Sequence, residues 1–324
     1  MFTPTRVPQG VLNATAYFQA TLQRELEGLN CITWVDDILM WGADFNDLLS
    51  TIDEVLGRLE KVGLYAAAHK CMLYDTSIKW CGKVYSGGVV KHDPTRVSGL
   101  ATMRRPETAG ELMQFLQAAN WMRTSLPRMA EVVQPLRVLL EQHMRGNVRR
   151  TKRVAMNRAI PTDAWTASAA QAWTDAQALV AQAVDLSHPR EGYAVLMFPD
   201  ASDEFWGSFV TQVPQDEVDA GIAVEDMTHE PLGCLSGVFR GSQLRWATVD
   251  KEGFAIVSTF HRLEYLMWGG VRIYTDYRNL AYIFNPEACV SSVSKDATQR
   301  LENWKMVLSQ YDYVITHIAG ERNC

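Results

Sequence analysis

Residues 31–42, CITWVDDILMWG, constrain this chain most: an apolar, β-branched approach, two adjacent carboxylates and an apolar return. Short apolar runs on both sides of a polar pair predict a β-hairpin with Asp36 and Asp37 at its tip. Aspartate is a favoured turn residue, so the pair by itself reads as a solvated turn. On a rigid hairpin the same pair can aim oxygen ligands at a magnesium ion, since hard cations take carboxylates. The flanking sequence decides between the two.

Before the hairpin, residues 13–29 predict a helix with Phe18, Leu22 and Leu26 on one face and Gly28 near its end. Ahead of that helix, Pro8-Gln9-Gly10 is a loop whose glycine permits close backbone approach. After the hairpin a second amphipathic helix is expected from about Asp44 to Gly63. Its inward stripe is Phe45, Leu48, Leu49, Ile52, Leu56 and Leu59. Short strands follow between Lys70 and Val90, punctuated by Trp80-Cys81-Gly82 and Gly87-Gly88. Thr108-x-x-Glu111 is a capping-box match opening a helix with Leu112, Phe115 and Leu116, and another helix is expected over 129–142. Arg145, Arg149, Arg150, Lys152, Arg153 and Arg158 come with no acid among them. They read as a solvated, mobile linker, with phosphate contact as the sharper alternative.

From 161 to 184 the chain is alanine-rich and helical, leading to a second domain. There the order is strand (193–198), strand (205–213), an acidic loop (214–230), strand (231–240), helix (249–267), strand (271–275), helix (297–309) and a last strand near 311–318. That is a mixed α/β order. Three of its acids fall at element ends: Asp200 in FPDASD, Glu252 in the first turn of the helix in DKEGFAIV, and Asp276 in RIYTDYRNL. Each has a bland reading as a turn, a cap or a partner of the helix dipole. Together they can be brought to one point by a mixed sheet and its first helix. Clustered acids repel and raise one another's pKa, a repulsion that divalent metal relieves; two metals about 4 Å apart activate water and stabilise a leaving phosphodiester oxygen.

A chain of 324 residues has room for two domains, each with a core of its own. Six scattered cysteines without a C-x-x-C pair argue against a zinc knuckle or a disulfide framework and for a reducing compartment. No apolar run of about 18 residues exists, and the start lacks the pattern of a secretion signal. An intracellular protein with no membrane partner is therefore expected. A net charge of −6 gives no whole-molecule attraction to nucleic acid, so any such binding needs local basic surface.

In order along the chain, these residues resemble the reverse transcriptase–RNase H part of a gypsy-type LTR retrotransposon polyprotein. VPQGVLNATAYFQ is similar to the stretch preceding the polymerase hairpin, and Trp34-Val35-Asp36-Asp37 to the aromatic-x-Asp-Asp signature, with tryptophan where tyrosine is usual. RLEKVGLYAAAHKCMLYDTSIKWCGKVYSGGVV resembles the end of the palm with its primer grip, and MRRPETAGELMQFLQAANWMRTSLPRMAEVVQPLRVLL the thumb. PDASD, TVDKEGFAIV, YTDYRNL and RLENWKMVLSQYDYVITHIAGERN resemble the RNase H part.

The resemblance implies a partial right-hand palm (1–90), a thumb with a basic linker (91–162) and an RNase H-like mixed-sheet domain (163–324). Asp36 and Asp37 would be the polymerase pair, and Asp200, Glu252 and Asp276 the first three nuclease acids, both sets holding Mg²⁺, with Mn²⁺ as a substitute. Gln9 and Gly10 would pack template and nucleotide; Trp80, Cys81 and Gly82 would grip the primer; Arg149, Arg150, Lys152 and Arg153 would touch nucleic acid. The implied partners are an RNA–DNA hybrid, a primer–template duplex and, in the whole polyprotein, dNTP. Residues 1–35 hold no Asp, and the family's fourth nuclease acid would follow the turn at Gly320–Asn323. The chain alone is therefore expected not to polymerise and to have weak or no RNase H activity. Two other readings are an inactive nucleic-acid-binding remnant and a structural subunit that pairs with a complete copy as a dimer. His317 is read as an ordinary strand residue, and core packing is expected for most of Trp34, Trp41, Trp80 and Trp121.

Overall fold

The computed structural model describes residues 10–146, 151–284 and 295–320, with side chains in the last stretch from residue 299. Backbone contacts divide the chain into two units, Met1–Trp80 and Cys81–Cys324.

The first unit holds α1 (Ala14–Glu25), β1 (Cys31–Trp34), β2 (Asp37–Met40), α2 (Phe45–Lys61) and β3 (Ser77–Trp80). The hairpin forms as the sequence predicts, with Cys31 opposite Met40 and Trp34 opposite Asp37. Asp44 caps α2 by accepting from the Asp47 N–H at 2.9 Å, and the Asp47 carboxylate accepts from the Ala43 N–H at 2.8 Å. The helix stops at Gly63, whose φ of +72° lets the Leu64 N–H reach back to the Leu59 carbonyl. Arg58 donates to the carbonyls of Glu25 and Glu27 at 3.2 and 2.9 Å, tying α2 to the end of α1. The core is Leu22, Leu26, Val55 and Leu59. The six-residue stripe expected for α2 is too wide: Ile52, Val55 and Leu59 are the buried face, whereas Phe45, Leu49 and Leu56 are exposed. Residues three and four apart share one narrow face, and Phe45 and Leu49 fall outside it.

The second unit opens with β4 (Lys83–Ser86) and β5 (Val89–His92), then α3 (Pro94–Ala101), α4 (Ala109–Trp121), α5 (Met129–Val132), α6 (Gln134–Met144), α7 (Lys152–Met156) and α8 (Ala167–Ala181). Thr108 Oγ1 accepts from the Glu111 N–H at 3.2 Å, but the Glu111 carboxylate takes the Glu107 N–H rather than completing the box. Leu112, Phe115, Leu126, Leu136 and Leu139 form a helical core with Trp165, Ala169 and Trp173, the Phe115 and Trp173 rings lying 4.4 Å apart. Thus α8, grouped by sequence with the later domain, packs against α4–α6, and the expected boundary at 162/163 falls inside one core. The basic linker is likewise only partly a linker. Its Lys152–Met156 portion is a helix capped by Thr151, and Ala155 is fully buried against Ala109 and Met144. A Cβ at Gly110 would sit 2.3 Å from the Met156 sulfur, so glycine there admits α7.

After β6 (Leu186–Ser187) come β7 (Tyr193–Ala201), β8 (Phe205–Pro214), α9 (Gln215–Asp219), β9 (Glu230–Val238), α10 (Thr248–Arg262), α11 (Glu264–Met267), β10 (Val271–Thr275), α12 (Arg278–Ile283), α13 (Lys295–Leu308) and β11 (Tyr313–His317). The five-stranded sheet runs β11-β10-β7-β8-β9. Neighbours among β7, β8 and β9 are antiparallel, while β10 is parallel to β7 and β11 to β10. Alternation along β7 sends Met197 to the α10 side, with Ile256, Phe260 and Ile273, and sends Leu196 and Phe198 to the other, with Val213 and Met227. The acidic segment expected as loop contains α9 and a 3-10 turn at Val224–Asp226.

His92 is buried, and its Nε2 lies 3.1 Å from the equally buried Ser125 hydroxyl. Burial, then the charge of Lys83, pushes its pKa down to about 4 from an ordinary 6.5. The folded state therefore favours the neutral ring, and its stability falls as pH drops from 6.5 toward 4, where the unfolded chain takes up the proton first. We expect the melting temperature to fall across that window and His92→Gln to flatten the fall, as scanned by circular dichroism.

Candidate active site

Helix α10 begins with three consecutive charged residues, Asp250, Lys251 and Glu252, all buried. Each meets a different fate. The Asp250 carboxylate accepts from Arg300 at 2.7 Å, and the Arg300 guanidinium also lies 4.8 Å over the Trp246 ring. Lys251 donates to the Asp203 carbonyl at 2.7 Å, closing the turn between β7 and β8. Glu252, only 4% exposed, has an Oε2 with no hydrogen-bond partner among the described residues.

That unpartnered oxygen belongs to a cluster. One carboxylate oxygen each from Asp200, Glu252 and Asp276 lie within 4.8 Å of one another. Asp200 stands near the end of β7, opposite Gly207, and Asp276 directly follows β10, the strand parallel to β7. The fully buried Thr275 fixes the chain there, its hydroxyl accepting from the Tyr277 N–H at 3.1 Å. A Cβ at Gly320 would come 3.3 Å from an Asp276 oxygen, so the chain after β11 passes close by. Burial, then the neighbouring Asp200 and Asp276, pushes the Glu252 pKa up to about 8. Burial and Asp276 also raise that of Asp200. A buried, partnerless oxygen and mutually repelling carboxylates fit a divalent cation, which supplies the missing charge.

Asp36 and Asp37 are both exposed at the hairpin tip, and among the described residues no third acid joins them. The tip is held from outside. The Gln19 side chain accepts from the Val35 N–H and donates to the Thr33 carbonyl and hydroxyl at 3.1 and 2.8 Å. Val35 takes φ +56°, a strained value for a β-branched residue. Cys81 and Gly82 adopt φ +48° and +76°, and the Gly82 carbonyl accepts from the Asp93 N–H at the start of α3. A Cβ at Gly82 would meet the Arg96 guanidinium at 2.4 Å. Gly10 is exposed with φ +88° and open space about it. Gln9, Arg149 and Arg150 lie outside the described residues, while Lys152 and Arg153 are exposed on α7. Trp34, Trp41 and Trp121 are exposed, against the expected core packing, and His317 is a surface residue of β11. Sequence reading missed Gln19, Arg300 and Lys251; the DKE run on an otherwise apolar helix was the available signal for the last two.

Cys31, Cys71 and Cys234 carry free thiols, and among the described residues no helix is long and apolar enough to cross a membrane. Residues 193–311 match the family described as "RNase H-like domain found in reverse transcriptase". The chain is 23% identical over 323 residues to the retrovirus-related Pol polyprotein from transposon opus of Drosophila melanogaster, covering 98% of this chain and 30% of that protein. It is also 23% identical to the transposon Tf2-3 polyprotein of Schizosaccharomyces pombe, covering 98% of this chain and 22% of that one. The chain thus spans less than a third of the length of these relatives. The fold is similar to a foamy viral protease-reverse transcriptase solved with an RNA/DNA hybrid. The TM-score is 0.69 at 17% identity, over 98% of this chain and 39% of that one. A second such structure, solved with double-stranded DNA, gives a TM-score of 0.70 at 17% identity, over 97% of this chain and 50% of that one. The acidic triad lies inside the stretch that matches the RNase H-like domain found in reverse transcriptase, and the chain is similar along nearly its whole length to a section of transposon Pol polyproteins.

Proposed function

We propose that in the whole polyprotein the second unit cuts the RNA strand of an RNA–DNA hybrid with Mg²⁺, or Mn²⁺ in its place, held by Asp200, Glu252 and Asp276. The observation that carries this reading is the convergence of three carboxylates from β7, α10 and the end of β10, with one buried Glu252 oxygen left unpartnered. Divalent metal in such a site lowers the pKa of water and neutralises charge on a phosphodiester. The protein's own part is to hold the carboxylates still. Asp200 is fixed by the β7–β8 ladder, and Glu252 by a helix whose neighbouring charges are tied down by Arg300 and Asp203. Selectivity for a hybrid follows from sensing 2′-hydroxyls on one strand and DNA geometry on the other.

In the whole polyprotein, we read Asp36 and Asp37 as part of a polymerase site acting on a primer–template duplex and dNTP. In that reading 1–90 is palm, with the primer gripped at Trp80, Cys81 and Gly82, template and nucleotide packed at Gln9 and Gly10, and nucleic acid touched by Arg149, Arg150, Lys152 and Arg153. The helices that follow serve as thumb. Among the described residues no third acid joins Asp36 and Asp37. The free thiols of Cys31, Cys71 and Cys234 support an intracellular setting.

The test is cleavage of an end-labelled RNA·DNA hybrid in Mg²⁺ by a version extended at the C-terminus. Changing an outer partner of a metal ligand costs about 10–100-fold, so losing a ligand costs at least that much. Asp276→Asn should lower cutting by about 100-fold or more without changing hybrid binding in EDTA. Equal cutting by the variant would remove the assignment.

A further inference from the structure

A cleft of about 490 Å³ in the second unit is walled by α4–α6 on one side and by β8, β9 and α10 on the other. Its charge is one-sided: Arg123, Arg137, Arg240 and Arg262 all line it, around a wall made by Trp206. Among the described residues none of the four has a carboxylate within ion-pair distance, whereas Arg104, Arg128, Arg190 and Arg300 are all paired. The Arg262 guanidinium stacks 4.9 Å over the Trp206 ring, which orients it while leaving its N–H donors available. Two walls of the cleft are pinned together where the Ala130 N–H donates to the Ser236 hydroxyl at 2.9 Å.

Four unneutralised guanidinium groups around one cleft repel. Burial, then proximity to Arg240, pushes the pKa of Arg137 down, and burial, then Arg123, does the same to Arg262. In a chain of net charge −6, such a gathering is a local exception to the overall repulsion of polyanions. Guanidinium forks match phosphate oxygens two at a time. The cleft also stands in register with the acidic cluster. Ser236 pairs with Gly207 and Gly207 with Asp200, so the backbone of the wall at Ser236 is two strand spacings, about 10 Å, from that of Asp200.

We propose that the Arg123–Arg137–Arg240–Arg262 cleft is a metal-independent binding site for phosphate groups, shared between the helical core and the sheet. Its natural ligand as a nucleic-acid backbone rests on the hybrid-cutting reading above. The same chemistry would accept a free polyphosphate.

The test is fluorescence anisotropy with a fluorescein-labelled RNA·DNA hybrid in EDTA over a KCl series, paired with thermal shifts in inorganic tripolyphosphate. Each lost phosphate contact flattens the plot of log affinity against log salt by about 0.9 for a duplex. Arg137→Gln/Arg240→Gln should therefore lower the slope by nearly two, and the charge-keeping Arg137→Lys/Arg240→Lys should keep most of it. Arg123→Gln, at an exposed position, should lower the slope by about 0.9 and serves if the double variant folds poorly. A flattened hybrid slope identifies the strand backbone as ligand. A tripolyphosphate shift that is lost in the variants, with hybrid slopes unchanged, identifies free polyphosphate. Wild-type behaviour of all variants in both assays overturns the site. Asp276→Asn should bind normally in EDTA, so failure of the nuclease reading and failure of the cleft are separately visible.

Discussion

Glu252→Gln should abolish metal-dependent cutting of a hybrid, by about 100-fold or more, while making the metal-free protein more stable at pH 8. The two effects have one cause. Glu252 is buried with a partnerless oxygen, and burial with two neighbouring aspartates holds its pKa near 8 against an ordinary 4.5. Between those values the folded chain keeps a proton that the unfolded chain has released. Stability then falls with rising pH, by at most about 1.4 kcal/mol per pH unit. A glutamine has no proton to surrender, so the variant's melting temperature in EDTA should stay level from pH 6.5 to 8, above the His92 window, where the parent's declines. Adding Mg²⁺ should raise the parent's melting temperature and leave the variant's unchanged. A variant that melts lower and still cuts would make Glu252 a packing residue.

The second large effect concerns its neighbour two positions earlier. Asp250 is 1% exposed and its compensating charge is Arg300 on α13. Removing one partner of a buried pair leaves an uncompensated charge, at a cost of about 3–5 kcal/mol. Arg300→Ala should therefore lower the melting temperature by roughly 10 °C, given about 2–4 °C per kcal/mol for a unit of this size. Asp250→Asn added to Arg300→Ala should recover most of the loss, because the stranded charge is gone. Equal melting of the single and double variants would mean that Arg300 acts only by stacking on Trp246.

These two residues also show what the sequence did and did not make legible. Asp200, Glu252 and Asp276 could be picked out because each sits where an element starts or stops, and element order was readable from periodicity. Their convergence needed parallel pairing of β10 with β7, which local sequence does not encode. The partner of Asp250 lies 50 residues away, beyond any local rule. The misreadings have a similar origin. For α2, six apolar positions were compatible with burial, and the fold buries Ile52 and Leu59 of them together with Val55, which the stripe had left out. For α8, alanines fit against almost any surface, and Trp173 meeting Phe115 fixes which one it is. The basic run looked like a solvated linker because its charges hide Ala155, whose small side chain is what docks.

The clamp on the hairpin tip has an outcome for sequence drift. Gln19 grips Val35 and Thr33 mainly through backbone atoms and one hydroxyl, so the aim of Asp36 and Asp37 is dictated from α1. The side chain at position 34 takes no part in that grip and stands 58% exposed. An indole can thus replace a phenol there without tilting the carboxylates. A change at Gln19, sixteen positions upstream of Val35, would swing both of them.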